Sequence, residues 1–419
     1  MKILVIGSGG REHAILWKLK QNPKITELYC APGNGGISEI AECVPINSNN
    51  IDAMVSFAKE KSMDMVVVGP DDPLAAGMID ALEEAGLRAF GPRKNAAILE
   101  ASKVFSKDLM KKYSIPSAAY ESFDDSNLAK EYVKNAKFPL VVKADGLALG
   151  KGVLICNTIH EASAAISSIM EDKKFGAAGK SIVIEEFMTG PEVSVLAFTD
   201  GKTLIPMVSS QDHKRAYDND EGLNTGGMGT FSPSRVYTEA LEKECFEKIF
   251  VPTIMAMNHE GRPFKGILFF GLMLTPEGPK VLEYNARFGD PETQVVLPRL
   301  ENDLLEIFEA IIDEKLEKIK ISWKRNAAVC VVMASGGYPE NYVKGYEIKG
   351  LEIVKNQSDV MIFHAGTKRE GKTYYTNGGR VLGITALAED IEKAREKAYT
   401  VVSGIDFKNA HFRRDIGII

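Results

Sequence analysis

The sequence predicts an α/β N-terminal domain on a doubly wound parallel sheet, an α+β central region and a mostly β C-terminal domain. Three observations carry this expectation. Short apolar runs alternate with helix-period segments over the first hundred residues. Paired β-like runs joined by tight turns recur between residues 182 and 285. Beyond residue 326, β-like runs dominate and a helical pattern closes the chain.

Lys2–Ile6 is an apolar run ending at glycines, and Arg11–Gln21 spaces Ile15, Leu16 and Leu19 as a helix does. Ile25–Cys30 and Asp64–Val68 read as further strands, the VVV of the latter suiting a strand buried on both faces. Pro73–Glu84 is expected as one helix and Leu87–Phe90 as a strand, with a boundary near Gly91-Pro92. Val104–Tyr113 is helical, and Phe138–Ala144 runs into the glycine-rich DGLALGKGV. Strands at Val153–Cys156 and Ile182–Glu186 flank a helix near His160–Met170. Glu192–Phe198 and Lys202–Ser209 flank Asp200-Gly201, a two-residue hairpin signal, and Gly266–Leu274 pairs with Lys280–Asn285 across TPEGP. A helix near Asn302–Ile312 precedes a linker at Trp323–Asn326. Ala327–Ala334, Tyr374–Thr376 and Val381–Thr385 are strands, and Ile391–Val402 is a helix. The expected divisions are 1–101, 102–322 with a flap subdomain at about 116–190, and 323–419. For 419 residues, at roughly 150 per domain, that number of domains is ordinary.

Composition narrows the class. Hydrophobic residues are 45% and charged residues 26%, a soluble globular mix. The 51 basic and 57 acidic side chains give a net charge of −6, which excludes a globally basic nucleic-acid binder but not a local phosphate pocket. Gly266–Leu274 is half the length of a membrane span, and the N-terminus lacks a signal-peptide core. The five cysteines are odd in number and have no zinc spacing, so reduced, buried thiols in the cytoplasm are expected.

Five runs carry chemistry. GSGGRE at 7–12 follows a strand and opens a helix, placing Gly7, Gly9, Gly10 and Arg11 where backbone N–H groups meet a phosphate. Glu12 breaks the dinucleotide pattern, so a small phosphorylated substrate or a structural turn remains. DGLALGKGV is not a P-loop, yet Gly146, Gly150, Lys151 and Gly152 suit a flap over a triphosphate, with Lys143 adding a cation; a surface hairpin is the alternative. In IEEFMTGPEVS at 184–194, Glu186 and Met188 offer the backbone donor and acceptor that an adenine needs, and Glu192 offers an acceptor for ribose. In VLEYNARFGDPETQ at 281–294, strand periodicity puts Glu283, Asn285 and Arg287 on one face. That face presents two hard oxygens for magnesium and a guanidinium for phosphate or carboxylate, or else an exposed polar edge. Finally, 210–233 reads as a long polar loop, functional or disordered, in which His213 is not favoured as a base; nor is His13 beside the first glycine turn.

Taken together, these runs resemble the ATP-grasp ligases, and within them the phosphoribosylamine–glycine ligase family. VIGSGGREHA, APGN, VVGPDDPLAAG, KADGLALGKGV, SQDHKR, NTGGMGTFSP, RFGDPETQ, FHAGT and NGGRVL carry the similarity over the whole chain. The resemblance implies an α+β ATP-grasp central region. It also implies joining glycine to 5-phosphoribosylamine through glycyl phosphate, with ATP giving ADP and phosphate, the second step of de novo purine synthesis. ATP would meet Lys103, Lys143, the flap, and Glu185, Glu186, Phe187 and Met188, with Glu192 on its ribose. Glu283 and Asn285 would hold Mg²⁺ or Mn²⁺, while Lys143 and Arg287 act on the transferred phosphoryl. The amine and glycine would lie against Gly7–Arg11, Asp212, Lys214, Asn224, Thr225, Gly226, Gly227 and Arg287. A cytoplasmic monomer with small-molecule partners and neither nucleic acid nor membrane is expected. Gly271 stands where many ATP-grasp enzymes have an acidic metal ligand, which leaves the metal count open. The rivals are a bicarbonate-using purine ligase, a non-catalytic ATP sensor, and a nicotinamide oxidoreductase weakened by Glu12.

Overall fold

The computed structural model describes residues 1–148, 152–354 and 357–418. Its N-terminal sheet contains β1 (Lys2–Gly7), β2 (Glu27–Pro32), β3 (Glu42–Cys43), β4 (Met65–Val68) and β5 (Ala89–Phe90), in the order β3-β2-β1-β4-β5. Every pairing is parallel. All four residues of β4 are buried, as its unbroken valines require. The expected helix Pro73–Glu84 is instead two, Asp71–Ala76 and Met78–Glu84. Gly77 separates them at φ +104°, a conformation that glycine adopts without a Cβ penalty. The helix Ile51–Glu60 was not anticipated; Asn50 caps it by accepting from the Ala53 N–H at 3.1 Å, and it buries Met54 and Ala58.

The flap subdomain is an antiparallel sheet of β6 (Tyr120–Phe123), β7 (Leu140–Ala144), β8 (Val153–Cys156) and β9 (Ile182–Glu186), in the order β6-β9-β7-β8. It has its own small core, including Val133, Leu140, Val142, Ile166 and Ile184. The second central sheet runs β11-β10-β16-β17, from β10 (Glu192–Thr199), β11 (Leu204–Pro206), β16 (Gly266–Thr275) and β17 (Gly278–Asn285). β11 is shorter than the expected Lys202–Ser209. Val193, Val195, Leu268 and Phe270 of this sheet share a core with Leu4, Ile6 and Val66 of the first. The N-terminal sheet is therefore held by packing against β10 and β16.

The segment 210–233 is not simply a loop. It contributes β12 (Gln211–Asp212) and β15 (Gly229–Ser232), and between them a hairpin of β13 (Arg215–Tyr217) and β14 (Glu221–Asn224). Strands of only two to four residues leave no alternation to detect, which is why the sequence reads as loop. β12 and β15 extend a C-terminal sheet of β18 (Ala327–Ser335), β20 (Val360–His364) and β23 (Arg380–Ala388), ordered β12-β15-β18-β23-β20. A small sheet joins β19 (Glu347–Ile348), β22 (Thr373–Thr376) and β21 (Thr367–Glu370). β24 (Ala410–His411) pairs with β18. The helix Ile391–Val402 falls where its pattern predicts, capped by Asp390, and packs over Val329, Ile384 and Phe231. All five cysteines are free thiols; four are buried and Cys43 is half-buried, a partial departure from expectation.

Candidate active site

Two strands of the flap and one helix set the lysines. β7 and β9 run antiparallel with Val141 opposite Glu185, so Lys143 and Glu185 meet across the ladder at 2.9 Å. The helix Lys103–Lys112 brings Lys107 to the same carboxylate oxygen at 3.1 Å. All three groups are buried. Ser102 starts this helix by accepting from Phe105 N–H, and it donates to Asp145 at 2.9 Å; Asp145 also accepts from Val104 N–H at 2.8 Å. The residue that opens the glycine run thus pins the helix that carries Lys103 and Lys107. Burial lowers Lys107 to about 8, with Glu185 working against that shift. Burial also lowers Lys103, with Glu283 opposing.

The expected adenine segment is only partly assembled by its side chains. Met188 packs with Ala118, Met273 and Leu282 in a small apolar cluster, whereas Phe187 is exposed. The Glu186 carboxylate accepts from Ala119 N–H at 3.1 Å and lies 3.6 Å from Lys280. Gly146 and Gly152 sit in tight packing, where an added Cβ would meet Ala178 and Ala148 at 2.8 Å. Gly150 and Lys151 lie outside the described residues.

Glu283 and Asn285 share one face of β17, as predicted, but the strand ends at Asn285 and the expected row of three is broken. Arg287 lies in the following turn, 2.9 Å from Glu100 and 3.8 Å from Asp71, and it donates to Phe288 O. Two carboxylates from the N-terminal part of the chain therefore hold the guanidinium. A bulge between Gly271 and Leu272 leaves Leu282 without a partner across the ladder, and Lys143 Nζ donates to the Leu282 carbonyl at 3.3 Å. Gly271 pairs directly with Glu283, and a Cβ there would lie 3.2 Å from Glu283 Cγ. Burial would raise the Glu283 carboxyl, but Lys214, Lys143, Lys103 and Arg287 outweigh it and hold it below the ordinary carboxylate range. Lys214 stands 2.7 Å from Glu192 and 3.9 Å from Glu283. Glu192 is thus engaged by a lysine through one of its two carboxylate oxygens.

The glycine turn is partly filled by the chain itself. Gly9 N–H donates to Glu12 at 2.6 Å, and the buried Glu12 carboxylate accepts from Arg11 Nε. A Cβ on Gly7, which has φ +131°, would meet Glu12 Cγ at 2.5 Å. So Glu12, which breaks the dinucleotide pattern, caps its own helix. On the loop side, Thr225 donates to Lys214 O and accepts from Gly227 N–H, both at 2.9 Å. Gly227, at φ +111°, rests against Asp212 and Pro291, and the Gly226 N–H donates to Tyr338. Burial and Glu292 push the Asp212 carboxyl well above its usual value. Asn224 is paired with Arg215 in the hairpin.

Sequence reasoning did not single out Lys107, Glu100, Asp71, Asp290, Glu292 or Arg380. A signal existed for Lys107, one helical turn after Lys103, and for Asp71 in VVGPDDPLAAG; none separated Glu100 from an ordinary helix residue. Burial, opposed by Arg287, raises the Glu100 carboxyl to about 7. The folded state therefore keeps a proton that the unfolded chain releases near 4.5, so this group's contribution to stability falls as pH rises from about 4.5 through 7. Glu100→Gln stays neutral and escapes that loss. Relative to wild type it should gain, between pH 4.5 and 8, on the order of 3 kcal/mol at about 1.4 kcal/mol per unit. Denaturant midpoints across that range check it, and parallel pH dependences would refute it.

A four-stranded flap sheet facing a second antiparallel sheet, with Lys143 on the first, Lys103 and Lys107 on the helix beside it and a carboxylate–amide pair on the second, defines the ATP-grasp class. Biotin carboxylase from Campylobacter jejuni shares this fold, at a TM-score of 0.74 and 15% identity over 100% of this chain and 94% of that one. The chain belongs to the phosphoribosylglycinamide synthetase family. Residues 1–100 match its N domain, 101–293 its ATP-grasp (A) domain and 328–418 its C domain. The phosphoribosylamine–glycine ligase of Halalkalibacterium halodurans is 48% identical over 417 residues, covering 100% of this chain and 96% of that protein. That of Rhodopirellula baltica is 49% identical over 421 residues, covering 99% and 96%. The crystal structure of the Thermotoga maritima phosphoribosylamine–glycine ligase superposes with a TM-score of 0.85 at 33% identity, covering 99% of this chain and 100% of that one.

Proposed function

We propose that the residues around Glu283 carry out the ATP-dependent ligation of glycine to 5-phosphoribosylamine, yielding glycinamide ribonucleotide, ADP and phosphate. The observation that carries this reading is Glu283 beside Asn285 on β17, with Lys214 3.9 Å away and Lys143 bonded to the carbonyl of the preceding Leu282. The glycine carboxylate attacks the γ-phosphorus, the bond to the ADP oxygen breaks, and glycyl phosphate forms. The amine of phosphoribosylamine then attacks the acyl carbonyl, phosphate leaves, and the amine proton passes to solvent or to a nearby carboxylate. Positioning and charge neutralisation supply most of the acceleration in phosphoryl transfer of this kind. Lys143 and Lys103 are the cations aimed at the phosphates, and the flap excludes water from two labile species.

The donor set fits magnesium or manganese. Glu283 keeps its charge, and among the described residues neither it nor Asn285 accepts a hydrogen bond through its side-chain oxygens, apart from the long Lys214 contact. Glu283 and Asn285 would hold the ion together with water and substrate phosphate oxygens, as magnesium sites commonly do. A bound dication would neutralise charge on the ATP phosphates. Glycine and phosphoribosylamine are assigned to the region between the Gly7–Arg11 turn and the Asp212–Gly227 segment. Among the described residues, no helix is long and apolar enough to cross a membrane.

The test is ADP formation with phosphoribosylamine, comparing glycine, bicarbonate and D-alanine as the carboxylate substrate. Turnover is expected with glycine and not with the other two. Activity with bicarbonate in place of glycine would overturn the assignment.

A further inference from the structure

One cation from the C-terminal sheet reaches both the Gly226-Gly227 turn and the turn that follows β17. Arg380 is the first residue of β23, and its Nη1 donates to Gly226 O at 2.5 Å and to Asp290 O at 2.7 Å. The same nitrogen lies 3.3 Å from Asp290 Oδ1. The guanidinium lies close over Gly226, where an added Cβ would come within 3.0 Å of its central carbon. Asp290 passes the connection on: Oδ2 accepts from Arg11 N–H at 3.2 Å and Oδ1 from Gln294 Nε2 at 2.8 Å. A single chain of contacts thus ties the C-terminal sheet, the Gly226-Gly227 turn, the turn after the catalytic strand and the first turn of helix Gly10–Leu19. Asp290 is held below the ordinary aspartate range because Arg380 and Arg11 outweigh its burial, so the carboxylate stays charged.

We infer that Arg380 and Asp290 form a positioning clamp that fixes the glycine turn at residues 7–10 relative to β17, and so sets where the phosphorylated amine substrate sits against the acyl phosphate. This rests on the function proposed above. Neither residue is assigned contact with a reacting atom; each acts through the elements it holds. Attack by the amine needs the reacting atoms within about 3–3.5 Å, and a misplacement of about 1 Å costs about 10²-fold. ATP is held by the flap and the Lys103–Lys112 helix, outside the clamp, so its binding does not depend on it.

The experiment uses the full chain, varying phosphoribosylamine at saturating ATP and glycine, with ATP affinity and the thermal midpoint measured on the same preparations. Arg380→Gln should lower kcat/KM for phosphoribosylamine about 10²-fold while ATP affinity stays within about twofold and the midpoint barely moves. Arg380→Lys should recover about tenfold of that loss, because all the contacts pass through one cationic nitrogen. Asp290→Asn should reproduce the split, and the double variant should be little worse than either single one, as expected of two members of one unit. An unchanged kcat/KM in Arg380→Gln overturns the clamp. So does a parallel fall in ATP affinity, turnover and midpoint without recovery in Arg380→Lys, which is the signature of a general structural role. Absence of ligation by the wild type would overturn the function and the clamp together, and so is distinguishable from failure of the clamp alone.

Discussion

Lys143→Ala is expected to lower turnover by about 10²–10³-fold, the usual cost of losing one preorganised donor at a site of developing charge. The structure makes this substitution clean. Lys143 shares the Glu185 carboxylate with Lys107, so removing one ammonium leaves the buried carboxylate paired at 3.1 Å with the other. A buried charge without any partner would cost several kcal/mol. Here that penalty is largely avoided, and the variant should fold. What disappears is the cation whose nitrogen lies between Glu185 and the Leu282 carbonyl, one residue before Glu283. Lys143→Met, which keeps the length of the stem, should lose turnover to the same extent. Single-turnover rates with saturating ATP are the measurement. Near-normal rates in a folded variant would remove Lys143 from the chemistry and leave it as a support for Glu185.

What the sequence discloses here follows from how local each feature is. β4 and the helix Ile391–Val402 are legible because a buried valine run and a 3.6-residue period are each complete within one segment. Glu283 and Asn285 are legible because strand alternation fixes their common face before any partner is known. Arg287 shows the limit of that argument. The period holds only while the strand lasts, and β17 stops at Asn285, so the guanidinium goes to Glu100 and Asp71, nearly 190 and more than 210 residues away in sequence. Glu192 illustrates the same limit from the other side: its lysine partner comes from a strand-and-hairpin segment that looks like loop. The bulge at Leu282 belongs to neither strand alone, since it exists only in the register between β16 and β17. Function was more legible than geometry, because long motifs in order identify a family without specifying which side chains pair.

Glu283→Gln is the substitution on which the proposed chemistry most depends. It preserves shape and one oxygen ligand while removing the charge that a hard dication prefers. Glu283 is held ionised by four surrounding cations, so its neutral replacement leaves Lys214, Lys143, Lys103 and Arg287 facing one another with less compensation. That repulsion is relieved when anionic phosphates enter, so nucleotide affinity should change little. The transition state is different: charge on the transferred phosphoryl is then spread over its oxygens, and a weakly held dication neutralises it poorly. Turnover at low magnesium should fall by about 10²–10³-fold, and the magnesium concentration at half-maximal rate should rise by at least tenfold. Asn285→Asp separates charge from geometry. It adds the negative charge that Glu283→Gln removes and keeps an oxygen at the same place on β17, so metal demand should fall or stay level while turnover still drops. If the site instead needs only total charge, Glu283→Gln combined with Asn285→Asp would recover the wild-type magnesium curve. The deciding measurement is turnover against magnesium for wild type and Glu283→Gln. Superimposable curves with equal maximal rates would place the metal elsewhere and return Glu283 to the polar face of a structural strand.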